Sequence, residues 1–247
     1  MGADSKIEWT DHTFNPWWGC TKVSPGCDNC YAETLAKRYG FDVWGTDKPR
    51  RFFEQKHWDE PCRWDRAAAK AGVRRRVFCA SMADVFDNEV PEEWRRELGK
   101  LIAFTPNLDW LLLTKRIGNV PKMISLEGFP KNVWLGASVV NQDEADRDIP
   151  KLLRIPAWRH FISYEPALDQ VLLRGDWMWP ISPEGLDWVI MGGESGPKAR
   201  PMSPGWARYM RDQCSRFGVA FFMKQMTKKA PIPDDLMIRQ FPVGTKE

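Results

Sequence analysis

The sequence predicts an α/β fold in which six to seven parallel strands form a partial or complete (β/α) barrel. Short apolar runs bounded by turn residues recur along the chain, and most are nearly continuous in apolar residues. Such runs are typical of parallel strands that are buried on both faces. Helix signals lie between them, and strands that alternate with helices indicate βα units.

Six of these runs are predicted strands, and a seventh precedes them. The six lie at residues 77–80, 110–114, 133–137, 160–163, 188–191 and 219–223. The seventh is predicted within residues 7–14, where Asp11 and His12 interrupt the apolar pattern.

Two helices have clear start signals. Segment 91–104 begins with proline and two glutamates, which suit the first turn and the positive end of the helix dipole. Segment 203–217 begins with Ser-Pro and is followed by Gly218, a residue that can end a helix. No repeat or flexible linker divides the chain, so we predict one domain over residues 1–247, with an insertion around 41–76.

Composition excludes several classes of protein. Apolar residues make up 43% of the 247 residues, which is too much for a disordered chain, and the net charge is only +3. No apolar run approaches the ~20 residues of a membrane span, so we expect a soluble, cytoplasmic protein without membrane contact. Only three histidines are present, which argues against a three-histidine zinc centre.

Polar residues follow almost every predicted strand. Because the carboxyl ends of parallel strands meet at one edge, these residues are expected to surround a common mouth. They include Ser81, Asp84, Lys115, Arg116, Ser138, Asn141, Glu165, Gly192, Gly193, Glu194, Lys224 and Gln225.

A cluster of cysteines indicates metal or redox chemistry. Cys20, Cys27 and Cys30 have the spacing C-x6-C-x2-C, and the intervening Pro25-Gly26 turn brings the first thiol toward the other two. Three interpretations compete at this point. They are a zinc site completed by His12, unliganded buried thiols, and an iron-sulfur cluster with three protein ligands and one open iron.

The cysteine loop resembles that of the radical S-adenosylmethionine superfamily, in which an aromatic residue, here Tyr31, also follows the last cysteine. This sequence has six residues between its first two cysteines where the superfamily usually has three. A similarity over almost the whole chain links it to a phage- and prophage-associated radical SAM-like family. The matching segments are KIEWTDHTFNP at 6–16, SMAD at 81–84, LLTK at 112–115, ISYEP at 162–166 and GGESG at 192–196.

The resemblance implies two cofactors, a 4Fe-4S cluster held by the three cysteines and S-adenosylmethionine bound to its open iron. Reductive cleavage of S-adenosylmethionine, with electrons from an external donor, would give a 5′-deoxyadenosyl radical that abstracts hydrogen from substrate. The superfamily's GGE motif binds the amino group, and Gly192, Gly193 and Glu194 match it, although they follow the sixth strand instead of the second.

Other strand-end residues are candidates for the remaining contacts. Ser81 and Asp84 are equal candidates for the amino group, and Ser138 and Asn141 for ribose hydroxyls or the carboxylate. Glu165 is expected to anchor a ribose or the substrate. Lys115 is a candidate for the methionine carboxylate or a substrate phosphate, and for each charge the alternative is a structural salt bridge.

The predicted insertion is strongly basic. Residues 48–76 contain ten lysines and arginines against four carboxylates, an excess of six positive charges. Phe52, Phe53, Trp58 and Trp64 are interleaved with them. Cations and flat rings together favour nucleic-acid contact, whereas a solvated helix face with rings turned inward is the alternative.

The leading hypothesis is a radical SAM enzyme that acts on a base in phage DNA, for example an isomerase that rearranges an aminoacyl group on a modified thymidine. A second hypothesis is DNA repair of the photoproduct-lyase type, with Cys79 as hydrogen donor or, in the simpler interpretation, as a buried strand residue. A third is a zinc-stabilised nucleic-acid-binding module without catalysis, and a protein-modifying radical enzyme is also open. Base chemistry within duplex DNA would require base flipping.

Overall fold

The structure is a computed structural model that describes residues 5–124, 128–178 and 184–242. The strands, in chain order, are β1 His12–Thr13, β2 Trp17–Trp18, β3 Arg51–Phe52, β4 Arg75–Cys79, β5 Leu108–Thr114, β6 Val133–Ser138, β7 Arg159–Tyr164, β8 Trp188–Gly192 and β9 Ala220–Gln225. The α-helices are α1 Tyr31–Arg38, α2 Gln55–Trp58, α3 Glu60–Ala71, α4 Glu92–Phe104, α5 Val120–Met123, α6 Gln142–Leu153 and α7 Pro204–Phe217.

Seven strands form one curled, all-parallel sheet in the order β1-β4-β5-β6-β7-β8-β9, a half-barrel. This confirms the predicted fold class, and β4 to β9 correspond to the six predicted runs. The first strand is shorter than predicted. The Arg76 backbone N–H donates to the Asp11 carboxylate at 2.8 Å and so is not bonded to a backbone carbonyl of the first strand. Both predicted helices are confirmed, and Gly218 ends α7 with φ +68°.

Alternation along the strands separates two apolar layers. One set of side chains fills the interior of the half-barrel with aromatic residues, among them Trp9, Phe78, Phe161, Trp188 and Phe222. The other set packs beneath the surrounding helices and forms the larger core. Because side chains of adjacent residues point to opposite faces, a shift of one position decides whether a strand residue faces the interior.

A smaller structure covers the first strands. Strands β2 and β3 form a separate antiparallel pair, with Trp18 opposite Arg51. Trp18, Ala36 and Met82 belong to a third apolar cluster, against which Cys30 packs. This cluster supports the segment that carries the cysteines.

The last described residues lie against the free edge of the sheet. Arg239 forms an antiparallel bridge with Phe222 in β9, and Trp188 Nε1 donates to the Gln240 carbonyl at 2.9 Å. Phe241 packs into the interior cluster, under the Arg76 guanidinium at 3.9 Å from its ring centre. No helix in the described parts of the chain is long and apolar enough to cross a membrane.

Candidate active site

A pocket opens at the carboxyl ends of the parallel strands, where the polar residues were expected to meet. The predicted site residues that line it are Cys20, Cys27, Cys30, Tyr31, Ser81, Asp84, Lys115, Ser138, Glu165, Gly193 and Glu194. Lys224 and Gln225 from β9 join them. The fold therefore brings together residues that are far apart in the sequence, from Cys20 near its start to Gln225 near its end.

The three cysteines lie on one short loop, residues 20–30, which we call the cysteine loop. Ser24 caps a single 3-10 turn at Pro25–Cys27, and its hydroxyl accepts from the Gly26 N–H at 3.0 Å. Cys30 is the residue that precedes α1, so its thiol lies near the N–H groups of the first helical turn. All three thiols line the pocket.

Burial favours the neutral form of two of these thiols, Cys20 and Cys30. Burial raises the pKa of Cys20 to about 12, the Asp84 carboxylate adds to the rise, and Arg116 opposes it. Burial also raises the pKa of Cys30, against the hydrogen bonds of the Glu33 and Ala32 N–H groups. Binding of a metal to these thiols would therefore release protons and would be favoured at higher pH.

The three thiols line one pocket without converging on a single point. In the described ranges, no three side chains of His, Cys, Asp or Glu converge closely enough to hold one metal ion. An iron-sulfur cluster does not need such convergence, since each iron takes a separate cysteine. His12, the expected fourth zinc ligand, is not at the pocket: it pairs with Val77 on the outer face, and its ring stacks on Trp64 at 4.5 Å.

Asp84 joins the ends of two strands. Its carboxylate accepts from the Thr114 hydroxyl at 2.7 Å, the Phe86 N–H at 3.0 Å and the Lys115 N–H at 3.1 Å. It also accepts from Arg116 Nη1 at 3.1 Å, and both side chains are less than 10% exposed. Asp84 is thus fully occupied as an acceptor within the protein.

Arg116 extends from this pair to the cysteine loop. Its Nη2 donates to the Thr21 carbonyl at 2.6 Å, and its Nη1 donates to Cys20 Sγ at 3.4 Å. Burial would lower the pKa of Arg116, but Asp84 raises it above its usual range, so the side chain remains a cation. A permanent positive charge is therefore next to the first cysteine.

Glu194 holds the other half of the cysteine loop. Its Oε2 accepts from Asn29 Nδ2 at 2.9 Å and from the Arg200 N–H at 2.8 Å, while its Oε1 accepts from Arg200 Nη2 at 2.7 Å. Burial alone would raise the pKa of Glu194, but the hydrogen bonds of Arg200 and Asn29 bring it below its usual range. Both oxygens accept hydrogen bonds, so the Glu194 carboxylate links Asn29 of the cysteine loop to Arg200.

Gly193 is required by close packing at the same point. A Cβ atom there would overlap the backbone of Thr227, whose Cα would be 2.8 Å away. The Gly193 carbonyl accepts from Gln225 Nε2 at 2.8 Å, which fixes the end of β8 to the end of β9.

Two groups in the pocket keep free bonding capacity. Lys115 lines the pocket, and no carboxylate lies within ion-pair distance of its ammonium group in the described parts of the chain. Glu165 pairs with Lys224 through Oε1 at 2.5 Å, whereas its Oε2 is buried without a partner among the described residues. Such an atom is expected to bind a ligand or a water.

The floor of the pocket is apolar and aromatic. Ile7, Trp9, Phe78 and Leu113 contribute to it from the interior face of the first strands. Trp9 is 2% exposed, and its Nε1 donor has no partner among the described residues. Apolar side chains therefore close the floor of the pocket, and Trp9 Nε1 is a buried donor beneath it.

Three predicted residues are placed elsewhere. Cys79 is fully buried on the outer face of β4, and its neighbours Phe78 and Ala80 line the pocket instead, since adjacent side chains alternate. This placement favours the simpler interpretation of Cys79 as a buried strand residue, and its role as hydrogen donor stays a prediction. Burial also raises the pKa of this thiol.

Asn141 and Gly192 have structural roles. Asn141 is the N-cap of α6, where its Oδ1 accepts from the Glu144 N–H at 2.9 Å, and it does not line the pocket. Gly192 also lies outside the lining, and a Cβ atom there would overlap the Glu165 carboxylate. A side chain at position 192 would therefore clash with the carboxylate of Glu165.

The rings of the basic segment are divided between the surface and the core. Phe52 is 40% exposed, and the Arg51 guanidinium lies over the Phe53 ring at 4.9 Å. Trp58 and Trp64 are buried in the core, so the alternative with inward rings holds for them. Arg50 is also buried and pairs with Asp87 at 2.8 Å. Four other cations in the segment also form ion pairs: Lys48 with Asp42, Arg74 with Asp109, and both Arg75 and Arg76 with Asp11.

The residues that sequence reasoning missed are mainly arginines that bond to the cysteine loop. Arg200 was not singled out, and Arg50 was counted as surface charge. A local signal existed only for Asn141, since Asn with an acidic residue three positions later is a capping pattern. Arg200 lies six residues after Glu194, a spacing that belongs to no helix or strand pattern, so the sequence does not indicate that the two side chains pair.

The all-parallel half-barrel with cysteines at its mouth matches the radical SAM fold. The chain belongs to the family described as "Protein of unknown function (DUF5131)", whose model matches residues 4–237. No curated protein matched the chain.

Solved structures of spore photoproduct lyase are similar in fold. A tyrosine-to-phenylalanine variant gives a TM-score of 0.58 at 11% identity, over 92% of this chain and 79% of that one. A complex with dinucleoside spore photoproduct gives 0.54 at 12% identity, over 88% and 75%. A variant with bound AdoMet and the dinucleoside photoproduct gives 0.50 at 12% identity, over 92% of this chain but 60% of that one.

Proposed function

We propose that this protein is a radical SAM enzyme that acts on a base in DNA. The observation that carries the proposal is that Cys20, Cys27 and Cys30 line one pocket at the carboxyl ends of a radical SAM-type sheet. The three thiols would hold a 4Fe-4S cluster. When bound, the cluster supplies the electron, received from an external donor, that cleaves S-adenosylmethionine and leads to hydrogen abstraction from substrate.

The free groups of the pocket support particular contacts to S-adenosylmethionine. Lys115 is the available cation and suits the methionine carboxylate. Glu165 Oε2 is the available acceptor and suits the amino group or a ribose hydroxyl, whereas Glu194 and Asp84 are occupied. Ser138 and the Tyr31 hydroxyl, which donates to the Ser81 carbonyl at 2.9 Å, lie at the same pocket and suit the ribose.

The floor supports a flat heterocycle as substrate. Trp9 and Phe78 offer apolar ring faces, and the Trp9 N–H can donate to a carbonyl or ring nitrogen of a base. Our first choice of reaction is the rearrangement of an aminoacyl group on a modified thymidine in phage DNA, within the host cytoplasm. The second is repair of a thymine photoproduct, which the fold similarity to photoproduct-bound structures favours.

The decisive experiment begins with anaerobic reconstitution and analysis of iron and sulfide. Incubation with dithionite and S-adenosylmethionine should then release 5′-deoxyadenosine, with about four irons per chain. Cys27→Ala should lose both iron and cleavage, while Cys62→Ala is the matched control, because Cys62 is on α3 and does not line the pocket. Zinc without cleavage would contradict the proposal and support the nucleic-acid-binding module.

Substrate choice is tested on the active enzyme. DNA that contains aminoacylated thymidine and ultraviolet-irradiated DNA are compared by mass spectrometry of the digested nucleosides. An isomer of unchanged mass identifies the rearrangement, and restored thymidine identifies repair. If 5′-deoxyadenosine forms but neither DNA changes, the assignment to DNA bases is wrong.

A further inference from the structure

We propose that two arginines, Arg116 and Arg200, hold the cysteine loop in order before any metal binds. This inference rests on the proposed function for its consequence, cluster assembly, but the ordering itself concerns the metal-free protein. Both arginines are far from the loop in sequence, and each is fixed by a carboxylate from a different strand end.

Arg200 holds the second half of the loop. Its Nη2 donates to the Pro25 carbonyl at 2.9 Å, and its Nη1 donates to Asp28 Oδ2 at 3.1 Å. The guanidinium is itself oriented by Glu194, which accepts from Nε at 3.1 Å and from Nη2 at 2.7 Å. Asn29 donates to the same carboxylate.

Arg116 holds the first half. It bonds to the Thr21 carbonyl and Cys20 Sγ, and its own position is set by Asp84 at 3.1 Å and Asp87 at 3.5 Å. Arg50 reinforces the same point, since its Nη2 donates to the Thr21 hydroxyl at 2.8 Å. The loop is therefore bonded at residues 20–21 and again at 25–28.

The loop has little structure of its own to replace these contacts. Its main internal bonds are those of one 3-10 turn, with the Cys27 N–H bonded to the Ser24 carbonyl at 2.8 Å, and a longer exposed one from Lys22 Nζ to the Asp28 carbonyl at 3.4 Å. Fixing the backbone of each residue costs about 1–2 kcal/mol of conformational entropy. Because six residues separate Cys20 from Cys27, this cost is substantial, and charge-assisted hydrogen bonds of planar guanidinium groups can offset it.

The same geometry changes the role of the GGE motif. Glu194 Oε2 already accepts three hydrogen bonds and Oε1 accepts one from Arg200, so an amino group of a ligand would have to share this carboxylate with Arg200. Arg200 and Glu194 are therefore positioning residues that act through the cysteine loop.

Hydrogen exchange on the metal-free full-length protein tests the ordering. Peptides that cover residues 20–30 should exchange slowly in the wild type and at least tenfold faster in Arg200→Gln. Arg200→Lys should give an intermediate rate, since an ammonium cannot reach Glu194, Asp28 and Pro25 together. The control is Arg208→Gln, which removes an exposed pair with Asp235 and should leave the loop unchanged.

Arg116→Gln tests the first half, with Arg200→Gln as the safeguard if the buried Arg116 variant does not fold. Rapid exchange of the loop in the wild type, or equal exchange in wild type and Arg200→Gln, would overturn the inference. In reconstituted protein, Arg200→Gln should lose iron to a chelator faster and change the electron paramagnetic resonance spectrum of the reduced cluster. A loop that is ordered by Arg200 in a protein that binds no iron would support the inference and refute the proposed function.

Discussion

The buried pair of Arg50 and Asp87 gives the sharpest test of how the basic segment works. The side chains are 1% and 2% exposed. Arg50 donates two hydrogen bonds to Asp87 Oδ2, at 3.0 and 2.8 Å, and one to the Lys48 carbonyl at 2.8 Å. It also bonds to the Gly45 carbonyl at 3.2 Å and to the Thr21 hydroxyl at 2.8 Å.

Arg50→Ala should therefore destabilise the protein strongly. Removing one member of a buried ion pair leaves an uncompensated charge and typically costs about 3–5 kcal/mol. For a chain of this size, each kcal/mol lowers the Tm by roughly 2–4 °C, so we expect a fall of about 6–20 °C. Arg116, at 3.5 Å from Asp87, retains part of the compensation, which favours the lower half of that range.

Thermal unfolding of the metal-free protein, followed by circular dichroism, measures this effect. Arg174→Ala is the matched control, because Arg174 and Asp176 form an exposed pair on the surface and the Tm should not change. Affinity for a DNA duplex is measured beside it by fluorescence anisotropy. An Arg50→Ala protein with wild-type Tm but weakened DNA binding would refute the structural role and restore the interpretation of Arg50 as a phosphate contact.

Three further outcomes follow from the site. Lys115→Met should raise the Kd for S-adenosylmethionine about tenfold or more, measured by calorimetry on reconstituted protein, while the Tm stays constant; an unchanged Kd would exclude Lys115 as the carboxylate contact. Glu194 has a lowered pKa in the folded protein, so its contribution to stability is present above its ordinary pKa of about 4.3 and is lost as the pH falls through the folded value. Urea unfolding between pH 6 and 3 should accordingly show a steeper loss for the wild type than for Glu194→Gln, and parallel curves would contradict this. Cys79→Ala should keep 5′-deoxyadenosine formation and product formation, since Cys79 lies outside the pocket, and loss of product with intact cleavage would restore it as a hydrogen donor.

The fold could be predicted because its determinants are local. Six of the seven strands in the sheet, β4 to β9, contain a short apolar run that can be recognised without knowledge of its neighbours, whereas β1 is only the two residues His12–Thr13. The convergence of Lys115, Ser138 and Glu165 followed from the rule that parallel strands end at the same edge. The shared position of the three cysteines could be predicted from their close spacing in the sequence alone.

The errors arose where the outcome depends on one position along a strand. Cys79 and Ala80 are neighbours at the end of β4, and only the second faces the pocket. The sequence predicted a strand from Val77 but not its register relative to β5. It therefore did not determine which of its side chains face the pocket. The pairing of Phe78 with Leu111, both in the interior cluster, is what sets it.

Charge counting could not locate the paired arginines, for a different physical reason. A local sum treats every arginine as solvent-exposed, whereas a guanidinium can be buried wherever a carboxylate from a distant segment meets it. Arg50 and Asp87 are 37 residues apart, and Arg200 and Asp28 are 172 residues apart. The excess of positive charge in residues 48–76 thus reports in part on acidic residues elsewhere in the fold, at positions 11, 87 and 109. Candidate DNA contacts are accordingly the cations that have no carboxylate partner among the described residues, and in the pocket Lys115 is such a cation.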